Sequence, residues 1–209
     1  MNVTTSYLER FEEKAKAVSA TVARVASEDE ALAYVVDLCS SKEACQILAS
    51  GCGEGLSEKA EDLCAAKQQK TIAAPRLDKE LSEKLAGLCK DNGFAFVESD
   101  MRSHLGGLDI GFTRAQWGIA ETGSLVVDSR SEDLRLATMV SEIHVALLPA
   151  SKILADSFAV ETAMKEWFAD APNYLAFITG PSRTADIERV LALGVHGPLE
   201  LHILILEDD

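Results

Sequence analysis

The stretch YLAFITGPSRTADIERVLALGVHGPLELHILIL, residues 174–206, reads as strand, helix, strand. Tyr174–Thr179 and Leu201–Leu206 are short apolar runs bounded by turn residues. The residues between them, 183–193, carry a helical pattern. Ser182 or Thr184 is placed to cap its start, and Gly194 to end it. Upstream the alternation repeats. Cys45–Ala49 is a short apolar strand, Leu56–Lys67 a helix, and Thr71–Ala74 a strand ended by Pro75. Leu77–Asp91 is a helix stopped by Asn92-Gly93, and Phe94–Val97 a strand. Ile143–Leu148 is a buried strand closed by Pro149, and Ile153–Ala169 a long helix. Strands alternating with helices imply a parallel or mixed sheet covered on both faces. Ala115–Glu121 and Ser124–Asp128 flank Thr122-Gly123 as a hairpin, which adds antiparallel content.

At the other end, Leu8, Phe11, Ala15, Val18, Val22 and Val25 recur in steps of three and four, predicting one helix over 5–26. Ser27 caps a second helix at 28–40, with Glu28, Asp29 and Glu30 in its positive first turn. Residues 1–40 are therefore expected as a helical extension on an α/β domain spanning 41–209.

Composition narrows the function classes. The 209 residues are 47% hydrophobic and 26% charged, with a net charge of −14 and a mean hydropathy of +0.06. The acids are spread along the chain, which argues against a nucleic-acid partner. No apolar run is long enough to cross a membrane as a helix, and the charged N-terminus has no apolar signal core, so a cytoplasmic location is expected. Cys39, Cys45, Cys52, Cys64 and Cys89 form no Cys-x-x-Cys pair and read as free buried thiols. No two histidines have metal-ligand spacing, so no metal is expected.

Three places carry candidate chemistry. At Gly180-Pro181-Ser182-Arg183-Thr184-x-Asp186, free N–H groups at a helix start and a mobile guanidinium suit an anion, at the carboxyl edge where open α/β sheets bind ligands. Ordinary helix capping accounts for the same residue types. In Gly-Val-His-Gly-Pro, 194–198, His196 lies on a loop and is the candidate histidine. His144 and His202 fall in strand patterns and read as packed. At Ala120-Glu121-Thr122-Gly123-Ser124, alternation sets Glu121 beside bulky apolar neighbours. It is either a partly buried acid fit for proton transfer or an exposed turn acid. Lys152 and Arg130 are further cations of undetermined placement. Gly51-Cys52-Gly53-Glu54-Gly55 lacks the dinucleotide spacing and reads as a loop.

Together, Trp117–Val127, Ile143-His144 ahead of Leu148-Pro149, Ile178–Glu188 and Gly194–Leu199 resemble the LUD-domain family, of the lactate utilization protein C type. The resemblance covers roughly residues 105–206. It implies a three-layer, mixed but mostly parallel α/β fold like that of the glucosamine-phosphate deaminase, ribose-phosphate isomerase and CoA-transferase superfamily. It also implies an accessory role in oxidising L-lactate to pyruvate, beside two iron–sulfur partner proteins that hold the clusters. No cofactor is expected on this chain. Glu121, Thr122 and Gly123 match the family's Ala-Glu-Thr-Gly motif. Gly180, Ser182, Thr184 and Asp186 match its Gly-Pro-Ser-x-Thr-x-Asp pattern, and His196 its Gly-Val-His-Gly-Pro. Ser124 stands where many members have Thr. With this resemblance, Glu121 and His196 are the expected catalytic groups. Thr122, Gly123, Gly180, Ser182, Arg183, Thr184 and Asp186 are the expected ligand contacts. An independent CoA-transferase-like or sugar-phosphate enzyme and a purely structural interaction module are the alternative readings.

Overall fold

The computed structural model describes residues 3–42, 69–104, 107–167, 174–184, 192–193 and 197–207. The strand expected at 45–49, the helix at 56–67 and the loop at 51–55 lie outside these residues. A six-stranded parallel sheet forms the centre, in the order β1-β12-β7-β4-β2-β3. Its strands are β1 (Thr21–Val25), β2 (Thr71–Ala73), β3 (Ala95–Val97), β4 (Leu108–Arg114), β7 (Ser141–Pro149) and β12 (Glu200–Leu206). The expected mixed α/β class holds, but the antiparallel content occupies a separate four-stranded sheet. There β5 (Trp117–Ile119) and β6 (Ser124–Asp128) form the hairpin, flanked by β8 (Ile153–Leu154) and β9 (Leu175–Ile178) in the order β8-β5-β6-β9.

Side-chain alternation divides the core. Ile143, Val145 and Leu147 of β7 pack against Leu32, Val35 and Val36 of α2 (Glu28–Ser41) and Leu81 and Leu85 of α3 (Lys79–Asp91). Ala146 and Leu148 point the other way. They join Leu201, Ile203 and Ile205 of β12, Leu125 and Val127 of β6, and Phe11 and Ala15 of α1 (Val3–Ala17). A fourth helix, α4 (Glu132–Val140), lies on the same side, where the Ala137 carbonyl sits against Gly111 of β4. The fifth, α5 (Ser157–Trp167), covers the far face of the small sheet through Val160, against Ile119 and Val126. Each face of the parallel sheet is thus apolar and covered, as parallel sheets require.

Three sequence expectations are corrected here. The helix over 5–26 ends at Ala17, and 21–25 is the edge strand β1. The stop is a Schellman-type closure: Ser19 adopts φ 68° and Ala20 N–H donates to the Ala15 carbonyl at 3.0 Å. Ser19 takes the left-handed position that glycine usually marks, so nothing in the residue types signals it. After it, Thr21-Val22-Ala23-Arg24-Val25 extends beside β12. Second, residues 1–40 are no appendage: β1 belongs to the main sheet, and α1 and α2 bury Phe11, Ala15, Leu32 and Val35 completely or nearly so. Third, the helix expected from Ile153 begins at Ser157. Ile153–Leu154 pairs with β5 first, and Asp156 then accepts from Ala159 N–H at 2.9 Å. Two other helix ends are as expected. Ser27 Oγ accepts from Glu30 N–H, and Gly93 (φ 73°) follows the Asn92 cap of α3.

Buried polar groups gather at the amino edge of the sheet. Lys42 Nζ lies 2.8 Å from Asp109 and 2.6 Å from Glu142, with all three side chains almost fully buried. Asp109 also accepts from Thr71 N–H, tying β2 to β4. Lys70 donates to the Cys39, Ser40 and Lys42 carbonyls and so closes the carbonyl end of α2. Cys39 and Cys89 are buried free thiols. Burial pushes them up to about 12 and about 11 respectively, which makes them unreactive at neutral pH.

Candidate functional site

The segment after β9 builds the candidate cleft. At Gly180 the backbone has φ 72°, and a Cβ would collide with the Val18 carbonyl oxygen. At Gly123 (φ 67°) a Cβ would collide with the backbone of Ala15. Both glycines therefore seat the end of α1, a close-packing role that no ligand is needed to explain. Ser182 N–H donates to the Pro198 carbonyl at 3.0 Å, and Gly197 lies directly against the Ser182 side chain. The Ser182 turn and the last residues of Gly-Val-His-Gly-Pro are therefore in contact.

Arg183–Thr184 (β10) pairs antiparallel with Ala192–Leu193 (β11). This corrects the helix expected over 183–193, whose described ends are paired strands. Arg183–Thr184, where the anion argument expected a helix start, is strand. Asp186 and His196 lie outside the described residues.

Around this turn lies a cleft of about 340 Å³. It sits at the amino ends of β7 and β12, not at the expected carboxyl edge. Its walls come from α4, β9, Gly180–Ser182 and Gly197-Pro198. Met139, Tyr174 and Phe177 form a rim whose side chains are each more than half exposed. Among the described lining residues Arg135 carries the single formal charge. Its Nη1 donates to the Ser129 and Arg130 carbonyls at 2.6 and 3.2 Å, and its guanidinium lies 5.7 Å from the Tyr174 ring.

His144 lines the same cleft and is 1% exposed. Its Nε2 lies 2.9 Å from Thr113 Oγ1 on β4, while Nδ1 is buried with no hydrogen-bond partner among the described residues. Burial pushes its pKa down to about 4, so the ring is neutral at pH 7. A packed reading of His144 from its strand pattern missed the unpaired nitrogen. The one available signal was a polar ring on the β7 face opposite Ile143 and Val145.

Glu121 is not in this cleft. Its side chain is exposed, which settles the open alternative as a turn acid. Its N–H donates to the Ala155 carbonyl at 3.1 Å, and the neighbouring Ala120 N–H to the Leu154 carbonyl at 2.8 Å. Thr122 is exposed as well, but it connects to the cleft wall. Its hydroxyl lies 2.7 Å from Ser124 Oγ, which lies 2.6 Å from the hydroxyl of Thr179.

A second cleft, of about 360 Å³, opens at the carboxyl edge where β4, β7 and β12 end. Arg114, Lys152, Trp117 and Trp167 line it. The two indoles meet edge to face at 5.8 Å. Arg114 pairs with Glu28 and lies 4.0 Å from Asp78, so its charge is matched. Arg130 forks onto Asp128 and covers Trp167 at 4.7 Å. Lys152 therefore belongs to this second cleft, and Arg130 is engaged by an acid beside it. Among the described residues, no three His, Cys, Asp or Glu side chains are grouped as a metal would need, and no helix is long and apolar enough to cross a membrane.

Comparison with known proteins gives the geometry a setting. The LUD domain model matches residues 8–206. An uncharacterized protein of Neisseria meningitidis serogroup B is 38% identical over 102 residues, 49% of this chain and 44% of that protein. Lactate utilization protein C of Bacillus licheniformis is 32% identical over 103 residues, 48% of this chain and 43% of the relative. The protein of that name from Halalkalibacterium halodurans is 33% identical over 103 residues, 48% and 45%. The chain thus matches these curated relatives over less than half their length. Among solved structures, a DUF162 family protein from Deinococcus radiodurans superposes over 99% of both chains with a TM-score of 0.51 at 14% identity, a likeness of fold alone.

Proposed function

Because this chain belongs to the LUD domain family, we propose that it serves lactate utilization as an accessory subunit. In this reading it works beside two iron–sulfur proteins that oxidise lactate to pyruvate, and its amino-edge cleft holds a small anion. The name shared by the Bacillus licheniformis and Halalkalibacterium halodurans relatives supports the pathway. One observation carries the site. Three of the sequence blocks behind the family resemblance converge on one cleft: His144 from the first, Ile178–Ser182 from the second, and Gly197-Pro198 from the third. The fourth block, the hairpin, reaches its wall through Ser124 and Thr179.

Removing the gene from its host abolishes growth on lactate as sole carbon source and leaves growth on glucose intact. Normal growth on lactate, with no second copy present, overturns the pathway. Purified with its partners, the chain raises lactate-dependent dye reduction. An equal rate without it overturns the accessory role.

A further inference from the structure

His144 carries the inference furthest. Thr113 is fully buried, and among the described residues its hydroxyl meets only His144 Nε2. A hydroxyl has a proton to give, and a buried donor left without an acceptor costs roughly 1–3 kcal/mol. The arrangement that leaves fewest groups unsatisfied has Thr113 O–H donating to Nε2. A neutral ring accepting at Nε2 carries its proton on Nδ1. The unpartnered atom is therefore a buried N–H donor on a residue that lines the cleft, and it calls for an acceptor oxygen.

The rest of the cleft limits which acceptor. Among the described lining residues the one cation, Arg135, suits a single negative charge better than a phosphate dianion. Its Nη1 is fixed by two backbone carbonyls, which holds the fork in place, while its other N–H groups have no hydrogen-bond partner among the described residues. The volume of about 340 Å³ lies in the range of roughly 300–1,000 Å³ that suits cofactor-sized ligands. Met139, Tyr174, Phe177 and Leu201 make much of the wall apolar. We propose that this cleft binds an amphipathic monocarboxylate, its carboxylate accepting from His144 Nδ1–H and its apolar body lying along Met139, Tyr174 and Phe177. The proposal deepens the cleft assigned above and is independent of the lactate pathway.

The test uses the full chain with histidine labelled with ¹⁵N, titrated with 3-phenylpropionate, with its neutral amide, and with L-lactate. In the free protein the His144 proton resides on Nδ1. Phenylpropionate shifts the Nδ1 resonance at concentrations at least tenfold below those the amide or lactate require. His144→Gln and Arg135→Gln each weaken phenylpropionate binding about tenfold or more. If His144→Gln fails to fold, the wild-type resonance and Arg135→Gln decide. An Nε2–H tautomer, an unmoved Nδ1 resonance with all three probes, or an amide or lactate that binds as tightly each overturns the proposal. Growth on lactate reports separately on the pathway, so either claim can fail alone.

Discussion

At the amino edge of the parallel sheet, Lys42, Asp109 and Glu142 are closed off from water together, and His144 is buried beside a cleft with one nitrogen unpaired among the described residues. At the carboxyl edge, Arg114, Glu28 and Asp78 meet with side chains 39–55% exposed, and Lys152 stands in solvent. Both edges hold a cleft of similar size. The difference lies in hydration. Charges at the carboxyl edge keep water and their acids, so they gain little from one another. Polar groups at the amino edge have lost water, so each one must be matched by protein or by ligand. Open α/β sheets generally bind at the carboxyl edge. Among the described residues each edge leaves one buried nitrogen unpaired, His144 Nδ1 at the amino edge and Arg114 Nε at the carboxyl edge, but only Arg114 has an acid beside it.

The largest test of that contrast is Lys42→Met. It leaves Asp109 and Glu142 buried without their cation, and unfolding in urea is expected to show a loss of about 3–5 kcal/mol. Gly180→Ala forces a side chain onto the Val18 carbonyl at φ 72°. About 2–4 kcal/mol should be lost, which separates the packing role of this glycine from ligand binding. Acid should act mainly through the amino edge. With the His144 pKa at about 4 against roughly 6.5 for an unfolded imidazole, the unfolded chain takes up the proton first. His144 then favours the fold fully above pH 6.5. About 3 kcal/mol of that stability is lost as pH falls to about 4, and His144→Phe flattens this part of the curve. At the carboxyl edge, Glu28→Gln should change stability by no more than about 1 kcal/mol, and less in high salt. A loss as large as that of Lys42→Met would erase the distinction between the edges.

What the chain order discloses follows local physics. The apolar run through Ile143–Leu148, the Ser27 cap and the Asn92-Gly93 stop each act on neighbouring residues, and each was legible. β4 was not. Leu108, Ile110 and Phe112 alternate with Asp109, Gly111 and Thr113, and this polar half is buried by Lys42, by the Ala137 backbone and by His144. Those partners are distant in sequence, so the strand looks too polar to be central. Val18, Val22 and Val25 kept a helical spacing by coincidence, and a serine closed α1 where glycine is usual. At the site, Gly180 and Ser182 were legible as a turn worth notice. His144 stands in a block of the resemblance but reads as packed, and Arg135 stands in none; both became site residues only when β7, α4 and β9 came together.

The most direct measurement is a crystal structure of the protein with 3-phenylpropionate. The account predicts the carboxylate within hydrogen-bond distance of His144 Nδ1 and the phenyl group against Tyr174 and Phe177. Ligand held instead by Lys152 and the Trp117–Trp167 pair, or an amino-edge cleft still empty at saturating ligand, would contradict it.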